Sequence, residues 1–212
     1  MVEASQLPLG VTGVMLPDID FEQQVELCRS LNVMHYVYRP RVIPEAKRDQ
    51  PYHSHGNHCF DLTPQRLLDE GGQLRQALEQ AGIVPFATVP ATHAGDSEDN
   101  LKLHFEGAEA GGAKRVRLTP APYPGELFDY EKYLEKTIGQ YQRAVELARP
   151  HGIKLTIEMH ANNAAIGPGL AYNIVRHFDP GEVSVIIDLP NFAKEGSVAP
   201  ILAISTLRDY ID

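Results

Sequence analysis

Hydrophobic positions along the chain follow two alternating periods. Short runs rich in β-branched and aromatic residues indicate buried strands, and longer stretches with apolar residues at helical spacing lie between them. The predicted strands are 9–16, 34–38, 84–89, 114–119, 154–158 and 184–188. This alternation predicts a parallel sheet with crossover helices, which is either a doubly wound sheet or a (β/α)8 barrel.

Capping residues indicate where the predicted helices begin. Asp18 or Asp20 caps the first helix, Thr63 caps a second helix through residue 80, and Ser97 caps a third through residue 110. A long amphipathic helix is predicted at 130–149. The expected inward positions are Phe21, Val25, Leu27, Cys28 and Leu31 in the first helix, and Tyr133, Ile138, Tyr141, Val145 and Leu147 in the long helix.

The loop between the second strand and the next helix, 39–63, is unusually long and polar. Loops of this length in compact domains tend to carry function. Its run H-x-H-x-x-H-C consists of His53, His55, His58 and Cys59. Because no second half with zinc-ligand spacing follows, we interpret this segment as a mobile loop over the active face rather than as a zinc cluster.

The first strand–helix turn favours the barrel. It reads MLPDIDF and contains no glycine-rich phosphate-binding loop. Polar residues follow every predicted strand, which is typical of a barrel whose βα loops together form one active face. The chain has no linker and no shift in composition. We therefore predict a single domain over 1–212, of the (β/α)8 TIM-barrel type.

The composition of the chain limits the kinds of binding partner that we expect. The formal net charge of −9 argues against nucleic acid as the main partner, because phosphate backbones favour a basic surface. No apolar run is long enough to span a membrane, and the first residues lack the pattern of a secretory signal. The two cysteines, Cys28 and Cys59, form no CxxC pair. We therefore predict a cytoplasmic, reduced protein with no membrane partner.

Two carboxylates end neighbouring predicted strands. Glu158 closes KLTIE, and Asp188 closes SVIID one strand–helix–strand unit later. Because the carboxyl ends of parallel strands meet at one edge of the sheet, we expect both acids to face the same pocket. The alternative is that they are ordinary acids at the edges of surface loops.

The motifs IKLTIEMH and IIDLPN, set among six strand–helix units, resemble the xylose-isomerase-like TIM-barrel superfamily of sugar isomerases and epimerases. The resemblance implies that Glu158 and Asp188 are the first two ligands of a divalent metal ion. In such enzymes a histidine from a seventh strand and a glutamate from an eighth complete the site. Oxygen and imidazole ligands suit Mn²⁺, Mg²⁺, Co²⁺ or Zn²⁺, and the sequence does not choose among them.

The resemblance implies a metal-dependent isomerase or epimerase that acts on a small sugar-like or hydroxy-keto substrate. Removing the proton beside the carbonyl leaves an enediolate, which a divalent ion stabilises while a carboxylate moves the proton. A dehydratase of an inosose-like ketone shares this intermediate and is the second hypothesis. Hydrolysis of DNA at abasic sites is disfavoured by the acidic balance. Outside enzymology, the chain would be a non-catalytic binding module.

Other polar side chains at predicted strand ends complete the candidate site. His160 forms the motif E-x-H, with a catalytic role and a hydrogen bond to a neighbouring loop as alternatives. Asn191 forms D-x-x-N where several members of the superfamily have D-x-x-H, and its amide is a candidate substrate ligand. His93 after strand three and Arg39 after strand two are further substrate-binding candidates, with a surface-loop position and a salt bridge as the respective alternatives. Arg117, within strand four, is expected at the same rim.

The chain contains six strand–helix units where a complete barrel has eight, and LRDYID reads as the lead-in to a seventh strand. We therefore expect an incomplete barrel that lacks the strands carrying the third and fourth ligands. Unpaired edges at the first and sixth strands favour association with a second copy or with a partner chain.

We predict that the isolated chain binds metal weakly and has little activity, because two of the four expected ligands are missing. Isothermal titration of the chain with Mn²⁺ measures this directly. Tight, stoichiometric binding of Mn²⁺ would contradict the prediction.

Overall fold

The computed structural model describes residues 8–160, 163–188, 190–191 and 199–212. Within these ranges the strands are β1 Gly10–Thr12, β2 His35–Tyr38, β3 Val84–Thr88, β4 Arg115–Arg117, β5 Lys154–Glu158 and β6 Val183–Ile186. The helices are α1 Phe21–Ser30, α2 Glu45–Arg48, α3 Pro64–Gln80, α4 Glu98–Ala110, α5 Tyr130–Ala148, α6 Pro168–Val175 and α7 Pro200–Leu207. Strands and helices alternate along the chain, which confirms the predicted α/β class.

The described residues group into two compact units. The first contains residues 8–91 and 106–114, and the second contains residues 92–105 and 115–212. The predicted single domain over 1–212 stays a prediction. The start of the last helix, predicted near Ser197, lies outside the described residues, and α7 is described from Pro200. In the part of the chain that the structure describes, no helix is both long and apolar enough to cross a membrane.

The first unit is built on three parallel strands, in which β2 pairs with both β1 and β3. Tyr36 of β2 is buried, and its hydroxyl donates to Oε1 of Gln24 in α1 at 2.5 Å. The Gln24 amide in turn donates to the carbonyl oxygens of Leu16 and Ile19. This network explains why a polar residue occupies the inward face of α1, since a buried amide is tolerated when its hydrogen bonds are satisfied.

The expected inward positions of α1 are therefore only partly right. Phe21 and Cys28 are buried as predicted. Leu31 is 63% exposed, and Val25 and Leu27 are half-buried. The helix ends at residue 30, so the predicted inward stripe is shorter than the apolar pattern indicated.

Hydrogen bonds tie down the long polar loop 39–63, which also contains α2. Arg41 Nη2 donates to the carbonyl of Gly56 at 2.5 Å, and Asn57 Nδ2 donates to the carbonyl of Arg48 at 2.7 Å. His58 is buried, and its Nε2 lies 3.2 Å from the Ser54 carbonyl oxygen. Burial is the main reason that the pKa of His58 is lowered. The loop thus has a defined internal structure, and its movement over the active face stays a prediction.

Helix α3 has the limits that its capping residue predicted. Thr63 Oγ1 accepts from the backbone N–H of Arg66, and Gly82 follows the helix with a φ of 76°. Gly71 faces the end of α4 so closely that a Cβ atom there would lie 2.8 Å from the backbone nitrogen of Gly111. The neighbouring Gly72 is exposed, and a Cβ atom there would meet nothing within 4 Å.

These adjacent glycines of α3 are a matched pair for testing helix packing. Gly71→Ala is expected to lower the free energy of unfolding by about 1–3 kcal/mol, because the new methyl group meets backbone atoms that cannot yield easily. Gly72→Ala is expected to raise it by about 0.5–1 kcal/mol, because alanine loses less backbone entropy in a helix. Urea unfolding of both variants measures these changes. Effects of the same sign would contradict the close approach at Gly71.

The second unit contains three parallel strands, with β5 between β4 and β6. Side chains on successive residues of a strand point to opposite faces of the sheet. One face is fully buried and apolar, and consists of Val116, Leu155, Ile157, Val183 and Val185. The other, here called the polar face, carries Arg115, Arg117, Lys154, Thr156, Glu158 and Ser184, together with Ile186 beside Glu158.

Helix α5 belongs to the same unit and has its own buried side. Tyr141 and Val145 are buried as predicted, and the Tyr141 hydroxyl donates to the carbonyl of Leu118 at 2.7 Å. The remaining expected positions, Tyr133, Ile138 and Leu147, are only half-buried. Their places on the buried side are taken by Leu134, Thr137, Ala144 and Ala148. Small residues dominate this set, so the apolar pattern alone did not identify it.

An ion cluster lies on the polar face, away from the carboxyl ends of the strands. Arg115 donates from Nε and Nη2 to the two carboxylate oxygens of Asp212, at 2.8 and 2.9 Å. Lys154 Nζ lies 3.4 Å from the same carboxylate, and Ser184 Oγ donates to it at 3.2 Å. Ile211 forms a parallel bridge with β6, as expected for the lead-in to a further strand.

Candidate active site

The candidate site lies at the carboxyl ends of the strands of the second unit. Glu158 is the last residue of β5 and is in register with Ile186, the last residue of β6. Asp188 lies two residues beyond the end of β6, in the loop, and not on the strand as the sequence indicated. Both acids are half-buried. The two predicted ligands are thus at the same edge but at different heights along the strands.

Arg117 and Glu158 form an ion pair on the polar face. Arg117 Nη1 donates to Glu158 Oε2. The two side chains are only 13% and 18% exposed. Arg117 is in register with Thr156, so its long side chain extends two residues further along β5 to contact the Glu158 carboxylate. A carboxylate that the sequence identified as a metal ligand therefore already has a positively charged partner.

Asp188 is held by neutral donors from its own loop. Its Oδ1 accepts from the backbone N–H of Asn191, and its Oδ2 accepts from the Asn191 side-chain amide, both at 3.1 Å. The same amide nitrogen donates to the carbonyl of Met159 at 3.1 Å. Asn191 therefore connects the loop after β6 to the end of β5. Since both amide protons serve protein acceptors, a substrate contact by Asn191 would use Oδ1.

His93 lies in a loop that its own hydrogen bonds organise. Its Nδ1 is 2.8 Å from Thr119 Oγ1, and the two residues also form a parallel backbone bridge. The carboxylate of Asp96 accepts from the backbone N–H of His93 at 3.1 Å and from the hydroxyl of Thr92. Asn100 Nδ2 donates to the same carboxylate at 3.2 Å. Thr119 thus holds the imidazole at the end of β4, and Asp96 holds the backbone of the same residue.

The other two predicted site residues, His160 and Arg39, each lie just after a strand. His160 follows Glu158 by two residues and is exposed. Arg39 directly follows β2 in the first unit and is half-buried. Their catalytic and substrate-binding roles stay predictions.

Two residues of this site, Thr119 and Asp96, were missed at the level of sequence, and Arg117 was placed at the rim without its ion pair being predicted. The alternating pattern of KRVRLT places Arg115, Arg117 and Thr119 on one face of β4, and this signal was available. Asp96 follows His93 by three residues, which is the spacing of a side chain that accepts from a nearby backbone N–H. The pattern of β4 does not predict the partners of Arg117 and Thr119, because those partners lie 41 and 26 residues away in the chain. The partners of Asp96 lie within four residues of it.

The two carboxylates at this edge have the chemistry of divalent-metal ligands. Glu158 and Asp188 provide carboxylate oxygens, the ligands that Mg²⁺ and Mn²⁺ prefer. The guanidinium group of Arg117 stands as a cation beside Glu158, so this position already accommodates positive charge. Among the described residues, no group of three or more His, Cys, Asp or Glu side chains is arranged to hold a metal ion.

Comparisons with known proteins identify solved structures that have a similar fold. No protein-family model and no curated protein sequence matches the chain. A 3-keto-D-glucoside 4-epimerase from E. coli matches with a TM-score of 0.73 at 10% identity, over 97% of this chain and 77% of the epimerase. A probable 3-DHS dehydratase from Bacillus anthracis matches with a TM-score of 0.73 at 12% identity, over 97% and 71% of the two chains.

A xylose-isomerase-like TIM-barrel protein from Mycobacterium smegmatis, in complex with magnesium, matches with a TM-score of 0.66 at 15% identity. The match covers 99% of this chain and 74% of that protein. Another matching structure contains a zinc atom. At these identities the likeness shows the fold, and it confirms the predicted resemblance to the xylose-isomerase-like TIM barrels. The similar structures include enzymes of two kinds, epimerases and a dehydratase.

A buried histidine lies in the same unit as the site. His104, in α4, is 5% exposed, and its pKa is lowered to about 4. Burial is the larger cause, and the nearby Asp96 carboxylate opposes it. Desolvation disfavours the charged imidazolium, so the folded protein keeps His104 neutral at pH values where an unfolded chain protonates it.

We expect His104 to make stability depend on pH between about 4 and 6.5. Its contribution is fully present above the unfolded pKa of about 6.5, and is lost as the pH falls toward the folded value, by up to about 3 kcal/mol. Urea unfolding at a series of pH values measures this slope. His104→Gln is expected to flatten it, whereas His177→Gln, at an exposed position of the same unit, is the control. Equal slopes in the wild-type and His104→Gln proteins would contradict the assignment.

Proposed function

We propose that this chain is a divalent-metal-dependent isomerase or epimerase of a small sugar-like or hydroxy-keto compound. The observation that carries the proposal is the position of Glu158, a half-buried carboxylate at the carboxyl end of β5 on the polar face. In TIM-barrel enzymes this edge of the sheet is where catalytic groups are found. The fold supports the same class, since similar structures include epimerases.

Glu158 and Asp188 are the residues that would hold the metal ion. When bound, a divalent ion polarises a carbonyl oxygen and stabilises the negative charge that develops there. The Glu158 carboxylate has a further oxygen, Oε1, outside the ion pair with Arg117, and the proposal assigns it to proton transfer beside the carbonyl. The loop contacts of Asn191 keep Asp188 oriented at the same edge.

His93 is the proposed substrate-binding imidazole. The hydroxyl of Thr119 lies 3.1 Å from the carbonyl oxygen of Thr92, to which it donates. Because the hydroxyl proton of Thr119 is used in this bond, the Thr119 oxygen acts as the acceptor for Nδ1–H of a neutral His93. This tautomer has an unprotonated Nε2, which can accept a hydrogen bond or a proton from a substrate hydroxyl. Thr119 therefore sets which nitrogen of His93 meets the substrate.

Dehydration of a related ketone is the second candidate function. It is favoured by the probable 3-DHS dehydratase, which has the same fold. Both reactions begin with removal of the proton beside the carbonyl, so the same carboxylate serves either one. The proposed partner of the chain is a small-molecule substrate and not nucleic acid, in keeping with the net charge of −9. Association of the chain into a homo-oligomer belongs to the proposal as well.

We expect the chain, with a large excess of Mn²⁺ or Mg²⁺ to offset weak metal binding, to exchange slowly the proton beside the carbonyl of a hydroxy-ketone substrate for deuterium in D₂O. Proton NMR of a panel of ketoses and inosose-like ketones measures the exchange and identifies the product. Glu158→Gln is expected to reduce exchange by about 100-fold or more, because a neutral amide cannot move the proton. Glu135→Gln, at an exposed position of α5, is the matched control.

The product decides between the two candidates. A shifted carbonyl or an inverted hydroxyl indicates an isomerase or epimerase, and an unsaturated ketone indicates a dehydratase. Exchange that is equally fast in the wild-type protein and in Glu158→Gln would contradict the role of this carboxylate. Absence of exchange across the whole panel would favour a binding module.

A further inference from the structure

We propose that the first unit carries a ligand site of its own, which takes a small aromatic molecule bearing one hydrogen-bond donor. The site is a pocket of about 360 Å³ on one face of β1, β2 and β3, and its lining includes Gly10, Thr12, His35, Val37 and Phe86. This volume is near the low end for pockets that bind small molecules. All of the lining belongs to the first unit, whereas the carboxylates of the proposed function belong to the second.

Strand geometry explains why there is space on this face of the sheet. Tyr36 and Tyr38 of β2 are buried on one side, so the alternation of side chains turns His35 and Val37 to the other. Gly10 of β1 lies beside the imidazole, since a Cβ atom added to it would be 3.2 Å from the Cβ atom of His35. Because glycine has no side chain, the space next to His35 stays unfilled.

An irregularity in β3 supplies an aromatic wall for the pocket. The register between β2 and β3 shifts between Tyr36 and Val37, which makes Phe86 an extra residue of β3. An insertion of this kind bends a strand and changes the direction of a side chain. The ring of Phe86 meets the imidazole of His35 edge to face, with the ring centroids 5.4 Å apart. A flat apolar ligand therefore finds two rings and an aliphatic side chain to pack against.

His35 defines the polar contact that the ligand makes. Its Nδ1 is buried and has no hydrogen-bond partner among the described residues. Few polar atoms are left in this state in folded proteins, because a buried donor or acceptor without a partner is costly. The proposal assigns the ring proton to Nε2, which leaves Nδ1 as an acceptor. A ligand O–H or N–H group that reaches Nδ1 then satisfies it.

The lining also decides which class of ligand fits. Apart from the imidazole of His35 and the hydroxyl of Thr12, the lining residues are apolar, and none carries a fixed charge. An anion or a polyhydroxylated sugar would lose its water here without enough polar partners. An aromatic ring with a single hydroxyl or N–H group packs against Phe86 and Val37 and donates to Nδ1. The proposed ligand therefore differs from the substrate of the proposed function.

The test is NMR titration of the full wild-type chain with phenol and with fluorobenzene, a ring of similar shape that has no hydrogen-bond donor. At about pH 8, where free imidazole is neutral, phenol is expected to shift the Nδ1 resonance of His35. Phenol is also expected to bind at least about tenfold more tightly than fluorobenzene, because only phenol gives the buried acceptor a partner. Equal affinities would overturn the role of Nδ1, and absence of saturable binding by either ligand would overturn the site.

Two substitutions in the first unit form a matched pair. His35→Phe keeps a ring in the pocket and removes the acceptor, so it is expected to bind phenol and fluorobenzene with equal affinity. His55→Phe, at an exposed position of the loop 39–63, is expected to keep the preference for phenol. Loss of the preference in both variants, or in neither, would contradict the role of His35. Circular dichroism checks that each variant is folded, and if His35→Phe is not, the wild-type titration decides.

A second copy of the chain is the alternative occupant of the pocket. The His35 resonance of the wild-type chain, recorded without ligand over a range of protein concentrations, tests this alternative. A constant resonance supports a pocket that is open to small molecules. A resonance that shifts with protein concentration alone would show that another copy covers the pocket, and would overturn the proposal.

Discussion

The parallel register of β4, β5 and β6 is the constraint on which the second unit depends. It places five apolar side chains on one buried face, and on the other six polar or charged ones together with Ile186. Charged groups that are largely removed from water require partners, since an unpaired charge in such a place is costly. The ion pairs of the polar face follow from this requirement. They are as much a part of the fold as the buried apolar face.

These pairs lie in two layers with different consequences. Away from the carboxyl ends, Arg115 and Lys154 share the carboxylate of Asp212, which joins the end of the described chain to β4. At the carboxyl end, Arg117 pairs with Glu158, where the fold brings loops together. A charge pair in the first layer stabilises the sheet. The pair in the second lies at the edge that carries the candidate site.

The sequence predicted the elements better than it predicted their contacts. Helix α3 begins after Thr63 and ends at residue 80 as predicted, because capping depends on residues that are neighbours in the chain. The parallel strands and the shared edge of Glu158 and Asp188 followed from the repeated strand–helix pattern. The inward face of α1 was predicted less well, because Gln24 is buried through a hydrogen bond to Tyr36, and hydropathy does not register such a bond.

The sequence by itself therefore determined the α/β class, the resemblance to xylose-isomerase-like barrels and the edge at which the candidate site lies. These depend on periodicity and on local capping, both of which short segments encode. Only the tertiary structure decided that Arg117 pairs with Glu158 and that Thr119 holds His93. Each of these contacts joins residues from different strand–helix units. Their pairing depends on strand register and on side-chain reach, which no local pattern specifies.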